Sequence, residues 1–231
     1  MKRLITRGIV LSRTEYGEAD RIVTMLTPDQ GKLRLMVRGA RRLKSKLAGG
    51  IELFSVSDIT FMPGRGDMGT LISARLSRHY ANIVKDIDRV QLGYELIKQL
   101  DRATEDSPES DYFDLLGQAF AALDDSAVPP ELIRVWFQAG LLKLAGHEPN
   151  LLTDAAGQKL AADRRYNFDY DAMAFMAQSR GGFAADHIKF LRLLFSGHQP
   201  QTLTQVQNLK TLLPACQRLV QTSFQLHINP R

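Results

Sequence analysis

Arg21-Ile22-Val23-Thr24-Met25-Leu26-Thr27-Pro28-Asp29-Gln30-Gly31-Lys32-Leu33-Arg34-Leu35-Met36-Val37-Arg38 is the stretch that decides the fold of the first part of this chain. Arg21 to Leu26 and Lys32 to Val37 read as strands. Between them Pro28 sets one φ and Gly31 permits a positive one, so the two strands form a hairpin. The returning strand alternates its faces with period two. Leu33, Leu35 and Val37 point toward a core, while Lys32, Arg34 and Arg38 point the other way with Met36 among them. The segment that follows, Gly39-Ala40-Arg41-Arg42-Leu43-Lys44-Ser45-Lys46, adds four more cations and no acid. Seven positive charges within fifteen residues make a ridge suited to phosphates, which Arg grips as an oxygen pair and Lys attracts as a point charge. A solvated surface strand with a basic loop would explain the same residues, but no acidic side chain between Lys32 and Gly50 neutralises the run.

Outward from the hairpin, Ile9-Val10-Leu11 reads as an earlier strand. Val56 to Met62 and Thr70 to Leu76 flank a second turn, Pro63-Gly64-Arg65-Gly66-Asp67-Met68-Gly69. About five short strands in 80 residues suit a small barrel, and in a five-stranded OB barrel the ligand face surrounds strands two and three. The basic strand is the third. Gly64 to Gly69 formally fits a dinucleotide fingerprint, but a strand follows it where a helix is required. Arg65 at this turn adds to the cationic surface. The aromatic residues Tyr16, Phe54, Phe61 and Tyr80 are few for a base-stacking surface, so binding should be mainly electrostatic, weakly sequence-selective and steeply salt-dependent.

After residue 80 the apolar period becomes helical. Ile87, Val90, Tyr94 and Ile97 share one face, Thr104 to Ser110 reads as a polar loop, and Tyr112 to Leu123 is a second amphipathic helix. Pro129-Pro130 opens a third, apolar nearly all round, which should be the buried centre of a helical body. Gly146 to Gly182 is irregular in pattern. Ala184 to Phe195 is helical again, and Thr202 to Phe224 is a last helical region expected to break or kink near Pro214. The reading is an α+β chain with a nucleic-acid-binding domain over 1–80 and a mainly helical domain over 81–231 that contains an irregular insert at 146–182.

Composition limits the functional classes. The net charge of +5 hides an asymmetry: residues 1–80 hold 15 Lys+Arg against 7 Asp+Glu, and the remainder 15 against 18. A positive end on a slightly acidic body points to a polyanion for one domain only. No stretch approaches the roughly 20 apolar residues of a membrane span. Met1-Lys2-Arg3-Leu4-Ile5-Thr6-Arg7 opens like a signal peptide, but Arg7 and Arg13 interrupt the apolar segment, so the expected place is the cytoplasm. One cysteine, Cys216, allows neither an intramolecular disulfide nor a thiolate zinc site. His79, His147, His187, His198 and His227 have no zinc-ligand spacing, and Asp124-Asp125 and Asp169-Tyr170-Asp171 suit exposed helix ends and turns better than a metal. No cofactor or catalytic motif is present, and no enzyme activity is expected.

Gly8-Ile9-Val10-Leu11, Tyr16-Gly17-Glu18-Ala19-Asp20-Arg21, Leu26-Thr27, Gly31-Lys32 and Arg38 to Gly49 together closely resemble the N-terminal domain of the bacterial RecO family of recombination mediators. The likeness continues through Glu52-Leu53-Phe54, Gly64-Arg65-Gly66 and Leu141 to Leu151. The resemblance implies an OB fold followed by a helical domain, binding of single- and double-stranded DNA, annealing of complementary strands, and help in loading RecA onto strands coated by single-strand-binding protein (SSB). It implies RecR and the acidic SSB C-terminal tail as partners, a RecA filament as an indirect one, and action at the nucleoid. The family's DNA-contacting cations map onto Arg38, Arg41, Arg42, Lys44 and Lys46, beside Lys32, Arg34 and Arg65 on the same ridge. An SSB tail needs a cation beside an apolar pocket, for which Arg134 and Lys143, near Trp136 and Phe137, are the candidates; two snorkelling surface cations would look the same. Many members carry a four-cysteine zinc motif after the central helix. Here Thr153-Asp154-Ala155-Ala156-Gly157 stands at the first Cys-x-x-Cys-Gly position, so packing must replace the metal. The chain is expected to stop at Asn229-Pro230-Arg231 without much of a basic tail. Two other readings fit the residues: an OB-type RNA-binding module, and an interaction scaffold with an acidic protein partner.

Overall fold

A computed structural model describes residues 2–104 and 110–228. The body of the polar loop read at 104–110, and the terminal Asn229-Pro230-Arg231, lie outside the described residues. The chain divides into two compact units, Met1–Asp124 and Asp125–Arg231.

In the first unit five strands, β1 (Leu4–Tyr16), β2 (Asp20–Thr27), β3 (Gly31–Val37), β4 (Ser55–Met62) and β5 (Met68–His79), close a barrel in the order β1-β2-β3-β5-β4. One long strand serves two neighbours. β1 pairs with β4 over Leu4–Ile9 and with β2 over Ile9–Tyr16, and a register shift between Val10 and Ser12 turns it from one to the other. Such an extra residue bends a strand and increases its twist, which closure of so small a barrel demands. The β2–β3 hairpin turns as read. Gly31 takes φ +65°, the Thr27 hydroxyl donates to Gly31 O (2.8 Å), and Gln30 N donates back to Thr27 Oγ1 (3.1 Å). Val10, Val23, Met25, Leu35, Val37, Ile59, Phe61 and Leu71 fill the interior. A short 3₁₀ turn, Ala48–Ile51, places fully buried Ile51 among them. Its Gly50 runs so close to β5 that a Cβ there would stand 2.5 Å from Ala74 Cβ.

Two helices, α1 (Ile87–Ala103) and α2 (Ser110–Asp124), belong to the same unit. Asp86 caps α1 by accepting from the N–H groups of Asp88 (2.9 Å) and Arg89 (3.3 Å). Phe54 joins barrel to helices: its ring meets Tyr94 and Phe120 edge-on at 5.5 Å each. It also fills the space a side chain at Gly93 would need, 2.5 Å from a Cβ there.

The second unit is built on α3 (Pro130–Leu144), whose Leu132, Ile133, Val135, Trp136, Phe137, Leu141 and Leu142 are all buried. It packs on α6 (Leu209–His227) and α4 (Ala185–Phe195). The segment 146–182, irregular in pattern, is ordered as a three-stranded sheet of order β6-β8-β7, with β6 (Asn150–Asp154), β7 (Tyr166–Asp169) and β8 (Ala174–Ala177). Strands of four or five residues are too short to show alternation in sequence. The final helical region does not break at Pro214. It divides earlier, into α5 (Pro200–Leu203) and α6, where Asn208 takes φ +57°. Pro214 sits early in α6 and removes only the bond to Lys210 O, while Asn tolerates the left-handed conformation.

Candidate nucleic-acid interface

The outward face of β1–β2–β3 is set by register. Ser12, Thr24 and Arg34 form one row across the three strands; Thr14, Ile22 and Met36 form the next; Tyr16 and Asp20 begin a third, which Arg38 continues just past the end of β3. Arg34 and Arg38 are exposed on this face, and Arg41, Arg42, Lys44 and Lys46 are exposed on the loop that extends it. Arg65 lies in the turn between β4 and β5, three residues before Met68, which pairs with Arg34 in parallel register. The cations therefore span the face from one end to the other, a distance of about 20 Å along β3.

The Gly17-to-Arg21 segment holds the basic loop in place. Asp20 accepts the Gly39 N–H at 2.7 Å, Ala19 O accepts the Arg41 N–H at 2.9 Å, and Gly17 O accepts from the Arg41 guanidinium at 3.4 Å. Glu15 faces Arg41 at 3.4 Å and Arg21 at 4.0 Å. Gly39 starts the loop with φ +67°. Arg34 approaches Asp67 at 3.8 Å, an exposed and weak pair. Among the described residues, Arg38, Arg42, Lys44, Lys46 and Arg65 have no ion-pair partner.

Lys32 is placed differently. Its ammonium donates to Asp101 O (2.6 Å) and Thr104 O (2.9 Å) and lies 3.0 Å from the Asp101 carboxylate, with only 12% of its side chain exposed. A cation at the carbonyl end of α1 satisfies orphan acceptors and complements the helix dipole. The structure thus engages Lys32 in joining β3 to α1, a role that β3's own pattern does not reveal.

The Gly64–Gly69 motif is a hairpin turn between two strands, and Gly64 is required because a Cβ would fall 2.0 Å from Met68 O. Arg134 and Lys143 are not brought together. Nine positions along α3 amount to about 13 Å and two and a half turns, so they occupy opposite sides. The Lys143 ammonium donates to Phe195 O at the end of α4 (2.8 Å), and the aromatics beside these cations, Trp136 and Phe137, are buried in the unit's core. A cavity of about 480 Å³, unforeseen from sequence, sets Arg218 beside Tyr170, Phe183 and Leu219. Arg218 and Leu219 are neighbours on α6, but the β7–β8 segment that completes the cavity left no pattern to read.

The residues present do not fit a zinc knuckle. Asp154 is buried, and its Oδ1 accepts from Ala156 N (3.0 Å) and Gln158 N (2.9 Å), closing the turn through hydrogen bonds. Cys216 lies fully buried in α6, and burial pushes its thiol up to about 12, so it stays protonated at neutral pH. Asp124 accepts from Asn82 N, Asp125 from Ala127 N, and Asp169 from the N–H groups of Asp171 and Ala172. His147 and His227 stack at 4.7 Å. No group of three or more His, Cys, Asp and Glu side chains that could hold a metal occurs among the described residues. Nor, among them, is any helix long and apolar enough to cross a membrane.

Two family models match the chain: Recombination protein O N terminal over residues 1–80, and Recombination protein O C terminal over residues 85–230. Similar curated proteins carry the name DNA repair protein RecO. The protein from Dehalococcoides mccartyi is 31% identical over 163 residues, 70% of this chain and 64% of the relative. That from Halalkalibacterium halodurans is 32% identical over 145 residues, 62% and 56%. That from Synechococcus elongatus is 31% identical over 223 residues, 90% and 80%. The match thus spans under two thirds of the length of the first two relatives and four fifths of the third.

Proposed function

This chain belongs to the RecO family, and on that premise we propose that it is a DNA-binding recombination mediator that acts in DNA repair in the cytoplasm, at the nucleoid. In this reading residues 1–80 hold single- and double-stranded DNA, and the helical domain over 81–231 engages protein partners. The protein anneals complementary strands and, with RecR, helps load RecA onto SSB-coated single strands. The observation that carries the reading is the cationic face itself: Arg38, Arg42, Lys44 and Lys46, at the end of β3 and on the loop pinned by Asp20, and Arg65 in the turn between β4 and β5 stand exposed without acidic partners among the described residues. Unneutralised cations held on a rigid support release counterions from phosphates at little ordering cost.

Annealing follows from electrostatics. Two complementary strands repel through their phosphates. Cations bridging both backbones lower that repulsion, and base pairing supplies the stabilising energy. The protein makes and breaks no bond, so it needs no catalytic side chain. For the acidic, apolar-ended SSB tail, Arg134 and Lys143 serve as separate candidates because they face apart. The Arg218 cavity offers a cation beside apolar walls in one place.

The test is annealing of two labelled complementary oligonucleotides, comparing the unaltered protein with a variant in which Arg38, Arg41, Arg42, Lys44 and Lys46 are all alanine. The expected result is loss of acceleration by the variant; undiminished annealing overturns the placement. Equal-salt binding of RNA and DNA single strands separates the mediator from an RNA-binding module. Absence of any nucleic-acid retention at about 0.15 M salt, where phosphate contacts still act, would favour a scaffold with an acidic partner.

A further inference from the structure

We propose that Tyr16, with Ile22 and Met36 beside it, is a base-contacting surface that takes unpaired nucleobases and so favours single strands over duplex; the inference rests on the DNA-binding reading above. Of the four Tyr and Phe residues in the barrel segment, three are core: Phe54 and Phe61 are each 2% exposed and Tyr80 is 3% exposed. Tyr16 alone is open, at 55%. It makes no ring contact, and its hydroxyl has no hydrogen-bond partner among the described residues. An aromatic ring more than half open at the end of a strand, with no ring or hydrogen-bond partner among the described residues, is available to a ligand.

Its position agrees with that use. The adjoining row on the same outward face carries Ile22 and Met36, two apolar side chains that are only half-buried there. Tyr16 pairs with Asp20, and Asp20 holds Gly39, so Arg38 stands two strands away, about 10 Å at normal strand spacing. The apolar strip thus runs between Arg34 at one end and Arg38 with the basic loop at the other. A strand laid across it can rest its bases on Tyr16, Ile22 and Met36 while phosphates meet the arginines. A duplex keeps its bases stacked on each other and offers this strip nothing, although its phosphates can still use the cations.

The experiment is fluorescence anisotropy of a labelled 20-nucleotide thymidine strand, and separately of a 20-base-pair duplex, with the unaltered protein, Tyr16→Ala and Tyr16→Phe. Tyr16→Ala should weaken single-strand binding roughly 5- to 20-fold, the lower part of the range for one lost base stack. Duplex binding should change less than about 2-fold, with the salt slope unaltered. Tyr16→Phe should retain single-strand affinity, because the ring and not the hydroxyl does the stacking. A 2-aminopurine placed in the strand should be quenched by the unaltered protein and by Tyr16→Phe but not by Tyr16→Ala. Equal loss on strand and duplex, or no loss on either, overturns this inference while leaving the DNA-binding reading standing. Failure of the unaltered protein to bind either DNA overturns both. Coinciding circular-dichroism melts of the three proteins establish that the comparison is between folded molecules.

Discussion

Replacing Lys32 by methionine separates a structural cation from a phosphate-binding one. Methionine keeps most of the apolar stem and removes the ammonium that donates to Asp101 O and Thr104 O and pairs with Asp101. A cation at a helix C-terminus contributes about 0.3–2 kcal/mol, and a hydrogen bond to a charged group about 1.5–3 kcal/mol. The two descriptions overlap here because the same carbonyls are involved. Asp101 is half exposed, so its ion pair adds under about 1 kcal/mol. The expected loss is about 2 kcal/mol, or about 4–8 °C in melting temperature for a chain of this size. Amide exchange in the last turn of α1 should quicken, including the Thr104 N–H that bonds Leu100 O. Because the ammonium is engaged by the protein, the slope of log affinity for a single strand against log salt should change by less than about 0.3, whereas loss of one true phosphate contact removes about 0.7. Arg38→Ala should behave in the opposite way, flattening the slope by about 0.7 with no change in melting. A Lys32→Met protein that melts normally and loses 0.7 of slope refutes the assignment of Lys32 to the α1 terminus.

Asp20→Ala removes an acid and by charge alone should tighten DNA binding. Instead it should weaken binding several-fold and speed exchange of the Gly39 amide, because the carboxylate that holds the start of the basic loop is lost; tighter binding would show that the loop needs no anchor. Cys216, raised to about 12 by burial, should resist a thiol-reactive dye at pH 8 in the folded protein and react in denaturant. The unfolded thiol ionises near pH 8.5 and the folded one only near 12, so the unfolded state holds fewer protons between them. Stability should therefore fall as pH rises through that window, and the fall should be smaller in Cys216→Ala, where what is left includes the buried Tyr80, whose phenol burial also raises. His187 is shifted the other way, lowered by burial and then by Arg165, with Asp186 opposing, and its Nδ1 accepts the Ala184 N–H. Its unfolded form binds more protons, so the stability it lends to the first turn of α4 is present above about pH 6.5 and lost below it. Exchange at Ala184 should quicken on acidification in the unaltered protein and be independent of pH, beyond the intrinsic rate, in His187→Gln.

The barrel was legible because its signals are local. The 27–31 turn, the alternation of Leu33, Leu35 and Val37, and the glycine-rich 63–69 turn each follow from a few adjacent residues. α3 was legible because a helix apolar on all sides has few places to go except a core. What escaped the sequence depends on distant partners. Lys32 belongs by pattern with Arg34 and Arg38, and only the carbonyls of Asp101 and Thr104, some seventy residues away, take it off the open face. Tyr16 could not be told from Phe54, Phe61 and Tyr80 without knowing that the barrel core takes Phe61 and that the helices cover Phe54 and Tyr80. The 146–182 segment hid a sheet because its strands are short, one pairing is parallel with an irregular register, and Asp154 closes its turn by side-chain hydrogen bonds. The Gly17-to-Arg21 segment carried the family resemblance without a physical reason; the structure supplies one, a carboxylate and two carbonyls holding the basic loop.

The most direct test of the central claim is anisotropy of a labelled single-stranded oligonucleotide across a salt series, with the unaltered protein and with Arg38, Arg42, Lys44 and Lys46 together changed to alanine. The five unpartnered cations, Arg65 included, predict a slope at least as steep as about −3.5 for the unaltered protein, and loss of four of them predicts a slope shallower by about 2.8 in the variant, at about 0.7 per phosphate contact on single strands. Equal slopes, or no binding by the unaltered protein even at low salt, would contradict the assignment of this face to nucleic acid.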